Sequence, residues 1–347
     1  MHMADALLSP AVGATMWAAT AGTIAYCSRK VKQDLDDRKV PLMGVLAAFI
    51  FAAQMINFTI PGTGSSGHMG GGMILAILLG PYAAFLAMAS VLTVQALFFA
   101  DGGLLALGCN IFNMGVCTCF IVYPLIYKQI TGKTPNDKRI MLGAFLSAVV
   151  GLQLGAFSVV LETVASGISD LPFGTFVLLM QPIHLAIGIV EGLVTAAVVI
   201  FVWKARPEIL EFAVSARPLG SLAIKKVLVG LSVAAIVTGG TLSWFASAHP
   251  DGLEWAIQGV TGSEEVNNPE HGLHSWLASL QEKTAFLPDY GFKTTAEPRV
   301  ETPGASEEAW PAVEAGTSVA GLVGGALTLA LAAMIGFLLK RRRRDVA

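Results

Sequence analysis

The sequence predicts an all-α membrane protein of about nine spans. A bundle of seven helical segments occupies residues 1–204, a cytoplasmic linker 205–226, and a two-span hairpin 227–347, with the N-terminus outside and the C-terminus cytoplasmic. Two observations carry this. Of 347 residues, 54% are hydrophobic and 13% charged, about half the charge density of an ordinary soluble domain; the 37 glycines suit helices packed closely in a bilayer. Second, 19 of the 22 lysines and arginines fall in four clusters, at 29–39, 128–139, 204–226 and 340–344, and basic clusters mark cytoplasmic segments. The net charge of −2 says little beside their placement.

The apolar runs between these landmarks lie at 11–27, 40–58, 73–99, 105–127, 139–164, 175–203, 227–247 and 317–339. Each approaches the roughly 20 residues a spanning helix needs. Counted as eight single spans, they place the 128–139 cluster outside. A break at Gly80-Pro81 restores the parity, giving a short inward segment over 73–79 and a return helix over 82–99. Proline cannot continue a helix ladder and glycine favours a turn, so the break also has a local cause. The last two spans flank an outer loop, 248–316, which carries twelve of the 24 acidic residues and no sustained periodicity; it reads as a small folded cap or a partly disordered segment. No lysine or arginine precedes the first apolar run, so that run reads as an N-out anchor helix and not as a cleavable signal.

The cysteines, Cys27, Cys109, Cys117 and Cys119, all lie near or within apolar runs and not in the outer loop, so no disulfide framework is written here. Core packing is the simpler reading of each.

The candidate chemistry lies on the outer face. The chain opens Met1-His2, and a free amine followed by histidine offers a compact chelate: the Met1 amine, the His2 backbone nitrogen and the His2 imidazole. Planar nitrogen sites favour Ni(II) or Cu(II), which can also displace an amide proton. The loop from Pro61 to Gly72 holds six glycines in twelve residues, and His68 is its only titratable side chain. It has no lysine and no phosphate-loop pattern. His68 on the same face as His2 completes a two-histidine, amine and amide site; the alternative is a glycine-rich re-entrant turn with an incidental histidine.

Polar groups inside the bundle are few and costly to bury. His184 and Glu191 are seven apart on the seventh segment, and Glu162 lies near the outer end of the sixth, with Gln95, Asn110, Asn113, Gln153 and Gln181 besides. A His/Glu relay suits a stand-alone proton-coupled transporter; an internal hydrogen-bond network that holds helices together is the preferred reading. No nucleophile, base and orienting group come together as an enzyme requires, and nothing points to nucleic acid.

The start Met1-His2, the loop Gly62-Thr63-Gly64-Ser65-Ser66-Gly67-His68-Met69-Gly70-Gly71-Gly72, the runs Leu78-Leu79-Gly80-Pro81-Tyr82-Ala83-Ala84-Phe85 and Phe99-Ala100-Asp101-Gly102-Gly103, and the stretch from Ala106 to Gly115 closely resemble the nickel/cobalt substrate-binding membrane component of energy-coupling factor transporters, the NikM/CbiM family. The resemblance covers about residues 1–203. The tail resembles the NikN/CbiN-type companion subunit through His249-Pro250-Asp251-Gly252-Leu253-Glu254, so the chain looks like a fusion of the two. The resemblance implies Met1, His2 and His68 as metal ligands, with Ser66, Asn110 and Asn113 as groups that position them; Cys109 stands where a small non-thiol residue is expected. It also implies a multi-pass protein of the inner (plasma) membrane, with Ni(2+) or Co(2+) as cargo and no cofactor. ATP would be hydrolysed by separate ATPase subunits joined through a membrane coupling subunit. Small-residue ridges at Ala14, Ala18 and Gly22, or at Ala48 and Ala52, offer contact surfaces for that subunit. His249, His271 and His274 are candidates for delivering metal.

Overall fold

The structure, a computed structural model, describes residues 2–32, 35–132, 135–264, 266–269, 271–293 and 310–344, the last three as helical backbone alone. Helices dominate it. In chain order they are α1 (Pro10–Val31), α2 (Lys39–Gln54), α3 (Gly72–Leu79), α4 (Pro81–Phe99), α5 (Leu107–Thr131), α6 (Asp137–Ser166), α7 (Phe173–Ala205), α8 (Pro207–Ser215), α9 (Lys225–Gly240), α10 (Gly252–Thr261), α11 (Leu273–Thr284) and α12 (Ala315–Arg344). Five of these, α4, α5, α6, α7 and α12, are long and apolar enough to cross a membrane.

The ends of these helices follow local chemistry. Ser9 caps α1 by accepting from Val12 N, with Pro10 in the first turn, where its missing N–H costs nothing. The break at Gly80-Pro81 is present: Gly80 has φ +77, a left-handed value that only glycine adopts without strain, and α4 starts on the proline. In α5 the turns widen over 112–127, around Pro124.

At eight residues α3 rises only about 12 Å, well short of the roughly 30 Å hydrocarbon layer. It is nevertheless the centre of the core, with Met73 through Leu79 at most 2% exposed. The loop leading into it is therefore drawn into the bundle. That loop departs from the all-helical expectation: Phe58–Ile60 (β1) and Ser65–Gly67 (β2) pair as an antiparallel ribbon, turning through Gly62 and Gly64, both at positive φ.

The linker holds a helix of its own. Ile209, Leu210 and Ala213 of α8 are buried, and the Ala213 carbonyl lies against Gly80, where a Cβ would come within 3.0 Å of it. All four basic clusters gather at this end: Asp36 accepts from Gly220 N at 2.6 Å, Lys128 donates to the Val214 carbonyl at 3.4 Å, and Lys340 pairs with Asp37.

The C-terminal helices pack against α2. α9 and α12 cross at Gly239 and Gly321, where a Cβ on Gly321 would lie 2.2 Å from the Gly239 carbonyl oxygen, and Gly324 admits Phe51. Of the two small-residue ridges, the one at Ala48 and Ala52 is thus taken up inside the chain. The ridge of Ala14, Ala18 and Gly22 faces outward, with open space beside Gly22. The outer loop folds in part, as α10 and α11.

Candidate metal site

Residues 2–8 do not project as a free tail. Asn110 of α5 clasps the Met3 backbone, accepting from its N–H at 2.9 Å and donating to its carbonyl at 3.3 Å, much as a neighbouring strand would. Gly103 N also donates to the Met3 carbonyl, at 2.9 Å. Asp5 accepts from Ala106 N at 2.9 Å. This close approach explains Gly102-Gly103: a Cβ on Gly103 would lie 1.9 Å from Asp5 Oδ1. Asn113 donates to Glu162 at 2.7 Å and touches the Met3 sulfur. The two asparagines therefore position the segment that carries His2 through its backbone and its neighbour. Met1 lies outside the described residues.

The His68 loop is held from below and above. Below, Glu191 of α7 accepts from Gly70 N and Gly71 N, and Gln54 donates to the Gly70 carbonyl at 2.7 Å. Above, Ser66 bonds the chain just before α10: its N–H donates to the Pro250 carbonyl at 2.8 Å and its hydroxyl to the His249 carbonyl at 2.7 Å. Ser66 thus turns toward the hairpin and not toward an imidazole. Trp255 of α10 donates to the Thr63 carbonyl at 3.0 Å.

These two supports bring His2 and His68 together. Their rings stack with centroids 5.0 Å apart and planes 22° from parallel, on the wall of a polar cavity of about 450 Å³. Burial holds both imidazoles down to a pKa of about 3, so both are neutral at physiological pH. Neutral ring nitrogens are the form that binds a metal cation. His2 Nδ1 lies 3.2 Å from Asp101 Oδ1 and His68 Nε2 lies 3.9 Å from Asp251 Oδ2, so a carboxylate stands beside each ring.

The intramembrane groups do not converge. Glu191 is committed to the loop, Glu162 to Asn113, and His184 to the Met180 carbonyl of its own helix at 2.8 Å. Among the described residues no hydrogen bond joins the three. His274, a candidate for delivery, contacts the Leu8 carbonyl at 2.8 Å and so braces the N-terminal segment. All four cysteines are buried and unbridged.

Comparison with known proteins decides the family. The model described as the cobalt uptake substrate-specific transmembrane region, CbiM, matches residues 2–209. The chain belongs to the CbiM family. A PDGLE domain follows over residues 225–341, so the chain joins the two parts. A protein of Archaeoglobus fulgidus named as a fused nickel transport protein, NikMN, is 33% identical over 99% of both chains. The fused nickel transport protein NikMN of Rhodobacter capsulatus is 32% identical over 84% of this chain and 88% of its own. A crystal structure described as a truncated transition metal transporter superposes on 59% of this chain and 99% of its own, with a TM-score of 0.53 and 31% identity.

Asp101 and Asp251 were not among the expected site residues. Asp101 carried a signal, being the only charged residue between Lys39 and Lys128. Asp251 lay in a motif read only as a family mark; it caps α10 through Leu253 N and Glu254 N.

Proposed function

We propose that the chain is the metal-capturing membrane component of an ATP-driven importer of the energy-coupling factor type, with nickel or cobalt as its cargo. The observation that carries this is the stacked pair of neutral imidazoles, His2 and His68, on the wall of a polar cavity. With the Met1 amine and the His2 backbone nitrogen they make four nitrogen donors, a set that suits Ni(II) in a plane. The names of the fused relatives point to the same metal.

The gathering of all basic clusters at one end supports a cytoplasmic assignment for that end and a multi-pass setting in the plasma membrane. The cavity would then open outward. The ion enters from outside and is enclosed by the His68 loop and the N-terminal segment; inward release requires both supports to give way as partner subunits tilt the bundle. The chain has no phosphate-loop motif, so ATP is hydrolysed on separate subunits, joined through a membrane coupling subunit. The exposed ridge of Ala14, Ala18 and Gly22 on α1 offers that subunit a close contact surface. A stand-alone proton-coupled transporter would route protons through Glu162, His184 and Glu191, and their separate bonding argues against it.

The test is a nickel titration of the full chain. Extension before Met1 by one residue, His2→Ala and His68→Ala are each expected to abolish high-affinity binding; unchanged binding by the extended chain would overturn the amine ligand. Uptake by vesicles without ATPase subunits, driven by a pH gradient, would overturn the ATP-driven reading.

A further inference from the structure

The outer side of this site is built by the far end of the chain. Asp101 Oδ1 contacts His2 Nδ1, and Asp101 Oδ2 accepts from the hydroxyl of Tyr290, a residue of the hairpin's outer segment 189 positions later. Gln95 Nε2 in turn donates to the Tyr290 oxygen at 3.2 Å. Both oxygens of the carboxylate are engaged, so its plane cannot turn without breaking a contact.

Tyr290 is held firmly in this position. Its ring stacks on Phe99, with centroids 5.1 Å apart and planes 20° from parallel, and meets Phe51 edge-on. Its backbone and that of Asp289 sit at φ +58 and +50, a conformation that costs free energy in residues with a side chain and persists where the surroundings enforce it. Gln281 of α11 donates to the Ala96 and Gly102 carbonyls at 2.8 and 2.7 Å, tying the hairpin to the chain on both sides of Asp101.

Chelation that includes the His2 backbone nitrogen must use Nδ1, because Nε2 is on the far side of the ring. A cation bound there takes over the Nδ1 lone pair as the ring proton moves to Nε2, and meets two carboxylates as counter-charges, Asp101 beside His2 and Asp251 beside His68. Asp101 therefore fixes the ring in the metal-free site and stands as a charge close to the bound cation, where opposite charges attract strongly at short range.

We propose that Tyr290 is a positioning residue for metal capture: by holding Asp101 beside His2 Nδ1, it orients the imidazole and keeps a negative charge at the point where the cation binds. The PDGLE part thereby supplies a component of the site. This rests on the His2 and His68 reading above.

The test uses the full chain and Ni(II) alone. Tyr290→Phe keeps the ring and its stacking and removes only the hydroxyl. Competition with a coloured chelator is expected to show Kd weakened about 10-fold or more, with a shifted ligand-field band for bound nickel and an unchanged thermal midpoint. Asp101→Asn is expected to weaken binding at least as much. The double variant should bind no more weakly than Asp101→Asn, since Tyr290 acts only through Asp101. Wild-type affinity and spectrum in Tyr290→Phe, or additive losses in the double variant, would overturn the proposal. His2→Ala separates the two levels: if it binds nickel normally, the site reading fails and this proposal with it. If it abolishes binding while Tyr290→Phe is silent, this proposal alone falls.

Discussion

Glu191, buried within α7, accepts the backbone N–H groups of Gly70 and Gly71 at 2.8 and 2.9 Å, two and three residues beyond His68. One carboxylate thus seats the loop that carries a candidate ligand. Glu191→Gln keeps the shape but turns an amide donor toward a backbone donor. The expected cost is about 1–3 kcal/mol, read as a lower thermal midpoint, together with weaker nickel binding as the loop loosens. A variant matching the wild type in both would show that the seat is dispensable.

Gly103 allows the N-terminal segment to dock. The Cβ of Gly103→Ala would lie 1.9 Å from Asp5 Oδ1, 2.4 Å from Asp5 Cγ and 2.5 Å from Asp5 N, so backbone must move. Overpacking of this kind costs about 1–3 kcal/mol. Nickel affinity should fall with stability, because Asp5 and Met3 hold His2 in register; titration calorimetry of Gly103→Ala checks this.

The buried imidazoles make the metal-free protein sensitive to acid. In the unfolded chain each takes its proton near the ordinary value of 6.5, but in the fold not until about 3. Their contribution to stability is therefore complete above 6.5 and is lost as pH falls toward 3. The thermal midpoint should decline through that window, and His68→Gln should flatten the slope. A pH-independent midpoint between 7 and 4 would contradict the neutral burial of these rings.

At the crossing of α9 and α12, position decides tolerance. Gly321→Leu drives a side chain into the Gly239 backbone and should part the two helices, lowering the yield of folded protein in detergent. Gly325→Ala, whose Cβ would meet only the Ala48 carbonyl at 4.0 Å, should behave as wild type. Gel filtration of the two variants side by side distinguishes them.

Much of the fold was legible because membrane helices declare themselves locally. Every apolar run corresponds to a helix, and the Gly80-Pro81 break follows from the backbone limits of its two residues. Other features lacked a local signature. The ribbon of β1 and β2 arises from a polar, glycine-rich stretch with no alternating pattern. The linker gave no sign of α8, whose three buried residues find their partners under α3.

Composition, charge placement and the linked motifs determined the class of the protein, the positions of its helices and the two histidines, since each of these rests on hydropathy or on residue type along a continuous segment. Which neighbours serve those histidines was decided by tertiary structure alone. Asn110 reaches Met3 across 107 positions and Tyr290 reaches Asp101 across 189, and Glu191 of α7 reaches back to hold the His68 loop. Hydrogen-bond partners in a bundle are chosen by which helix faces meet, and a linear pattern of side chains does not encode that choice.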